Sequence, residues 1–230
     1  AQVSTVAGGT GPLVAAGALL GGLLAACSSG AEPTDDTEAT QARRALLASE
    51  VDRVIVPAFE RLVTSAEALQ TAAAAYAAAA ESGEAPSERM AAQAAFETMM
   101  QDLQVVELMQ MGPYGPSMRF AGGLGIRDEM YSWPIVSACR VDQETVEGAY
   151  GDAGFFEAEL PNVYGADALE RLLYATGTDN ACPAPHPINM QGSWTALGDE
   201  GIRVNRARYA AAVAAQLAAE AGRVRDAWTS

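Results

Sequence analysis

Among 230 residues the chain has one histidine, three cysteines and three tryptophans, and aromatic residues make up only 7% of it. A single histidine excludes the zinc peptidase arrangement that sets two histidines on one helix face beside a general base. A Ser-His-Asp set would have to use His186, and no GxSxG elbow accompanies it. Positive charge is also scarce. The 14 Lys+Arg stand against 29 Asp+Glu, giving a net charge of −15 and a pI near 4.3. No basic patch is available to meet phosphates, so nucleic acid is excluded as a partner, and an anionic membrane surface would repel the chain. Cations and basic partners are the natural ligands. No segment alternates apolar and polar residues for long enough to make a strand. Gly122-Gly123-Leu124-Gly125 has no strand before it and no Gly-Lys-Ser/Thr after it, so it reads as a loop and not a phosphate cradle. With 50% hydrophobic and 19% charged residues, the chain is too apolar for disorder. Alanine supplies much of that apolar fraction and favours close-packed helices.

The first residues read as an address. Residues 1–26 carry no charged side chain, and Leu13 to Ala26 is an apolar run too short to span a bilayer but suited to a signal sequence. It ends in Leu24-Ala25-Ala26-Cys27, which resembles the lipobox of bacterial lipoproteins. The resemblance implies cleavage before Cys27 and lipidation of its thiol. The bland alternative is a buried Ala/Leu helix with an incidental cysteine. The tether-like Ser28-Ser29-Gly30-Ala31-Glu32-Pro33 that follows favours the lipobox. Residues 1–26 are thus expected to be a signal peptide, 27–45 a lipidated cysteine with a flexible tether, and 46–230 the folded domain. The acyl chains would be the link to the membrane, each buried CH₂ contributing about 0.8 kcal/mol. Ser28 after the cysteine points to the outer membrane of a bacterial envelope. Export places Cys139 and Cys182 in an oxidising space, where a disulfide is expected. Closing that loop restricts the unfolded chain by about 4 kcal/mol.

The rest of the chain carries helical spacing. Val51, Ile55, Phe59, Leu62, Ala66 and Leu69 predict a helix running to about Ala80, which Pro57 either starts or kinks. Phe96, Met99, Leu103, Val106 and Met109 predict a second from about Ser87 to Gly112-Pro113, its methionines acting as core filler. Short pieces are expected around 127–133 and 141–150. Asn162 is placed to cap a helix from about Val163 to Ala175, and residues 178–198 read as loop. Ile202, Tyr209, Val213, Leu217, Val224 and Trp228 predict a long last helix. The fold class is all-α, a helical bundle with long irregular connections and no substantial sheet.

Four blocks between Gly122 and Trp194 carry a resemblance. They are Gly122 to Pro134 (GGLGIRDEMYSWP), Cys139 to Gln143 (CRVDQ), Asn162 to Tyr174 (NVYGADALERLLY) and Asn189 to Trp194 (NMQGSW). Their order and spacing resemble the imelysin-like proteins. That resemblance implies an envelope protein of two helical bundles linked to iron uptake, with a disputed label as a metallopeptidase. The family signature is GxHxxE. Gly165 and Glu170 fit it, and Asp167 stands where histidine is expected. The chain stops at Ser230, where family members continue into a second bundle, so it is expected to be a fragment or to lack that half.

On a wheel of 100° per residue, Leu169, Leu172 and Leu173 share one arc about 100° wide, and Asp167, Glu170, Arg171 and Tyr174 share another. Asp167 and Glu170 are i,i+3 neighbours with Cβ atoms about 5–6 Å apart. Two carboxylates that close repel, raise a pKa or share a cation. The structural alternative has Asp167 favoured by the helix dipole and paired with Arg171 at i+4. A bound cation would be iron as Fe³⁺, or another hard ion such as Ca²⁺ or Mg²⁺, with Glu129 a candidate third ligand. Arg127, Asp128, Gly165 and Tyr174 are candidate pocket residues, although Arg127-Asp128-Glu129 also suits a helix start whose arginine braces a loop. Trp133 and Trp194 read as packing anchors, and His186 as an exposed, inert imidazole. The leading expectation is a lipid-anchored binding protein associated with iron-uptake proteins. A metal-dependent peptidase and a protein-interaction module are the alternatives.

Overall fold

The computed structural model describes residues 37–118 and 122–230, so the segment expected to be a signal peptide, the lipobox-like run and Cys27 lie outside the described residues. The chain divides into two compact units, Ala1–Arg44 and Ala45–Ser230, and the hydrophobic core belongs to the second. Among the described residues there is no strand, and no helix is long and apolar enough to cross a membrane. Helix α1 (Glu38–Glu50) begins inside the segment expected to be a flexible tether, and it buries no residue.

A π-helical turn at Val51–Ile55 leads from α1 into α2 (Val56–Ala80), with the backbone right-handed helical at Glu50, Ile55 and Val56. Pro57 follows that turn directly, so it interrupts the hydrogen-bond pattern of a continuing helix, and the regular α-helical pattern resumes around it. Ile55, Phe59, Leu62, Ala66, Leu69, Ala73, Tyr76 and Ala80 are all buried, in alternating steps of four and three residues. That alternation makes a continuous seam along one face, and the alanines in it let neighbouring backbones come close. Helix α3 (Pro86–Val106) answers with Ala92, Phe96, Met99, Leu103 and Val106 in the same rhythm. It stops at Val106, followed by a 3₁₀ turn at Glu107–Met109, earlier than the Gly112-Pro113 stop expected.

The irregular middle carries α4 (Ile126–Met130), α5 (Ala138–Glu147) and α6 (Phe155–Ala158). Ser137 caps α5, its side chain accepting the Arg140 N–H. Helix α7 (Gly165–Tyr174) begins two residues later than expected. Asn162 is not its cap: its carbonyl accepts the Ser137 N–H instead. Within the stretch expected to be loop lie α8 (Pro187–Met190) and the start of α9 (Ser193–Thr229), which breaks at Gly198. The long helix is α9 beyond that break, packed most extensively against α2 and next against α7.

Cys139 and Cys182 form the expected disulfide, which ties the start of α5 to the chain after α7. Trp194 is the packing anchor expected, with its Nε1–H donating to the Thr178 carbonyl at 2.8 Å. Trp133 is not. At 64% exposure it is an open surface residue.

Candidate functional site

Gly165 sets the geometry of the signature. Its φ of +83° is left-handed, and a Cβ there would sit 3.0 Å from the Met130 carbonyl oxygen. Only glycine meets both demands cheaply. The first turn of α7 consequently lies against the end of α4, directly before Ser132 and Trp133. Ser132 Oγ donates to Asp167 Oδ2 at 3.3 Å, and the backbone N–H groups of Ser132 and Trp133 also act on this carboxylate.

Asp167 is buried, while Glu170 one turn on is exposed. The opposite face of α7 buries Ala166, Leu169, Leu172 and Leu173, as the wheel required. Burial pushes the Asp167 carboxyl above its ordinary range, and the Glu170 charge adds to the rise against the pull of the Ser132 and Trp133 hydrogen bonds. Tyr131 reports the same field: burial raises its hydroxyl pKa, and the charges of Asp167, Glu107 and Glu170 raise it further.

The expected pairing of Asp167 with Arg171 does not form. Arg171 Nη2 reaches Asp142 Oδ2 at 2.7 Å, on α5, and Asp142 is fully buried. The helix packs that flank of α7 against α5, which offers a buried acid where Asp167 offers one already held by Ser132. Arg127 is occupied as well, bonding Glu107 Oε2 at 2.9 Å and Asp128 Oδ1 at 3.1 Å. Glu107 Oε1 also accepts the Tyr114 hydroxyl at 2.6 Å, so Arg127 braces the loop between α3 and α4. Among the described residues no guanidinium pairs with Asp167 or Glu170.

Glu129 does not join them. Its Oε2 accepts a short hydrogen bond from the Tyr164 hydroxyl, and its charge is felt at Glu220 on α9. Tyr174 turns to α3, donating to Glu97 Oε1 at 3.0 Å, and burial together with that carboxylate pushes its pKa to about 12. Among the described residues, the one group of three Cys, His, Asp or Glu ligand atoms lying within 4.8 Å of each other is Cys139, Cys182 and His186. Two of those are spent in the disulfide. His186 is half-buried beside it, and its Nδ1 accepts the Ile188 N–H at 3.4 Å, capping α8.

Two residues that shape this site carry little sequence signal. Ser132 holds Asp167, yet nothing in its spacing within the Gly122–Pro134 block ties it to α7. Asp142 has one weak signal, as the lone acid of the Cys139–Gln143 block on the apolar side of a short helix. It takes Arg171, the Ala181 N–H at 2.7 Å and, more distantly, Arg206 Nη2 at 3.8 Å.

No curated protein and no solved structure matches the chain. The family model described as Imelysin matches residues 55–230, which takes in all four blocks, the Gly165–Glu170 signature and the helices on either side. The chain belongs to the imelysin family.

Proposed function

We propose that the chain is an exported, lipid-anchored, metal-associated imelysin-like protein that serves iron acquisition as a binding or uptake accessory, with Asp167 and Glu170 as its degenerate metal site. A single observation carries this reading. Asp167, at the signature's histidine position, is a buried carboxyl whose protonation is coupled to Glu170, and no described arginine neutralises either one. A buried carboxyl with a second acid one turn away and no guanidinium partner gains more from a cation than a salt-bridged one does.

The residues fit a hydrated hard cation, which keeps several waters and needs only one or two carboxylates. Asp167 and Glu170 would hold it, and Ser132 would keep the Asp167 carboxylate in place. They do not fit a catalytic zinc, which needs three protein ligands and a general base. The peptidase alternative therefore has no residue set here to derive a step from. The acidic surface leaves a protein-interaction role against a basic partner as the other alternative.

Calorimetric titration with Ca²⁺, and with Fe³⁺ supplied as a weak chelate, tests the proposal. Glu170→Gln is expected to weaken binding at least tenfold while the thermal midpoint stays within a few degrees. Equal binding by wild type and variant removes the proposal. Chelator-sensitive cleavage of an unfolded substrate would instead establish the peptidase reading.

A further inference from the structure

Beyond the far end of α7 from Asp167 lies a hollow of about 690 Å³, formed where α2 ends, α3 begins and α9 resumes after Gly198. Three of the chain's fourteen basic residues, Arg89, Arg203 and Arg206, line it, all on one −15 molecule. Their guanidiniums are fixed by neutral carbonyls. Arg89 donates to Leu173 O at 2.8 Å and Ala175 O at 2.7 Å, and Arg206 to Gly177 O and Asp179 O, both at 2.8 Å. Arg203 bonds the carbonyls of Ala80 and Gly83. Neither Arg89 nor Arg203 forms an ion pair with a described carboxylate, and the nearest acid to Arg206 is Asp142, 3.8 Å away.

Each guanidinium carries five N–H donors, and these bonds use two apiece, so rigid forks keep donors to spare. Charge is graded through the hollow. Arg206 is 5% exposed and stands among buried Tyr76, Leu172 and Ile202, whereas Glu84, Asp199 and Glu200 are exposed at the mouth. The floor is cationic and partly apolar; the rim is anionic. The volume falls within the range of about 300–1,000 Å³ usual for small-molecule sites.

We propose that this hollow binds a small zwitterion of the amino-acid or short-peptide class, its carboxylate on the arginines and its ammonium at the acidic rim. The rim acids repel multiply charged anions, which separates this site from a general anion hole. The proposal stands apart from the Asp167 site and does not need it.

Titration of the intact chain with triglycine, its C-terminal amide, its N-acetyl form and inorganic phosphate tests it, followed by calorimetry and by thermal shift. Triglycine is expected to bind, amidation to weaken binding at least tenfold, and acetylation to weaken it several-fold. Phosphate is expected not to compete. The double variant Glu84→Gln with Asp199→Asn alters exposed residues only, so the fold is kept. It should lose affinity for triglycine while binding the N-acetyl form no more weakly than before. Arg89→Gln should weaken both, with circular dichroism checking that the helices persist. No binding of triglycine at millimolar concentration, equal binding of the amide, or phosphate binding as well as triglycine would each overturn the proposal.

Discussion

Asp142 Oδ2 accepts both the Arg171 guanidinium and the Ala181 backbone N–H, each at 2.7 Å. One buried oxygen thereby joins α5, α7 and the chain that follows α7. With Arg171 committed there, Asp167 four residues earlier has neutral donors, Ser132 and the Trp133 backbone, and no guanidinium partner. The chemistry of the signature's face is decided by a residue outside the signature.

Asp142→Ala is expected to destabilise the fold by about 3–5 kcal/mol, since it leaves Arg171 and the Ala181 N–H without their acceptor and removes the one acid near buried Arg206. Urea unfolding followed by circular dichroism measures the loss. A change under about 1 kcal/mol would mean that the pair contributes little beyond a solvated bridge.

Gly165→Ala should cost about 1–3 kcal/mol, because alanine must adopt the left-handed backbone and push its Cβ at the Met130 carbonyl. Any relaxation shifts α7 away from Ser132. Cation binding at Asp167 should therefore fall along with the thermal midpoint, whereas an equally destabilising core change elsewhere should leave binding intact.

Stability should fall as pH rises through the Asp167 transition. Its folded pKa lies above the unfolded value near 3.8, so between the two the folded state binds more protons than the unfolded chain. Stabilisation is thus full below about pH 4 and is lost as pH climbs through the raised value. Burial raises Glu144 and Glu220 in the same direction, so they add to the slope. Carboxyl-detected NMR titration is expected to find Asp167 above the ordinary range, and Glu170→Gln to bring it down. An unchanged Asp167 midpoint in that variant would uncouple the two acids.

Reducing the Cys139–Cys182 bridge, which spans 43 residues, should lower stability by about 4 kcal/mol. Thermal unfolding with and without a dithiol reads this directly. The loss should be smaller in Asp142→Ala, where the loop joined by the bridge is already loosened.

The helices that carry the core were legible because their seams repeat: Phe59, Leu62, Ala66 and Leu69 on α2, and Leu169, Leu172 and Leu173 on α7, fall on one face by spacing alone. The signature face was half legible. The wheel put Asp167 and Glu170 side by side, and it also put Arg171 within reach. Periodicity has no term for α5, whose Asp142 is 29 residues earlier in the chain, so the competition for Arg171 was hidden. Trp133 and Trp194 show the same limit. Both lie beside a block boundary with similar neighbours, yet one is buried by Arg206 stacking at 5.3 Å and the other faces solvent. The short α8 leaves no period to read, because it runs for only four residues, Pro187–Met190, behind a proline-rich stretch.

Helix α9 is the wall against which α2, α7, α5 and α4 all rest, and it is also the last of them to be synthesised. A growing polypeptide can pair α2 with α3 early, but the remaining leucine and alanine ridge must wait for residues beyond Gly198 to emerge. During that interval the nascent chain presents a sticky surface to chaperones and proteases. A translation product truncated before α9 would meet quality control in that state.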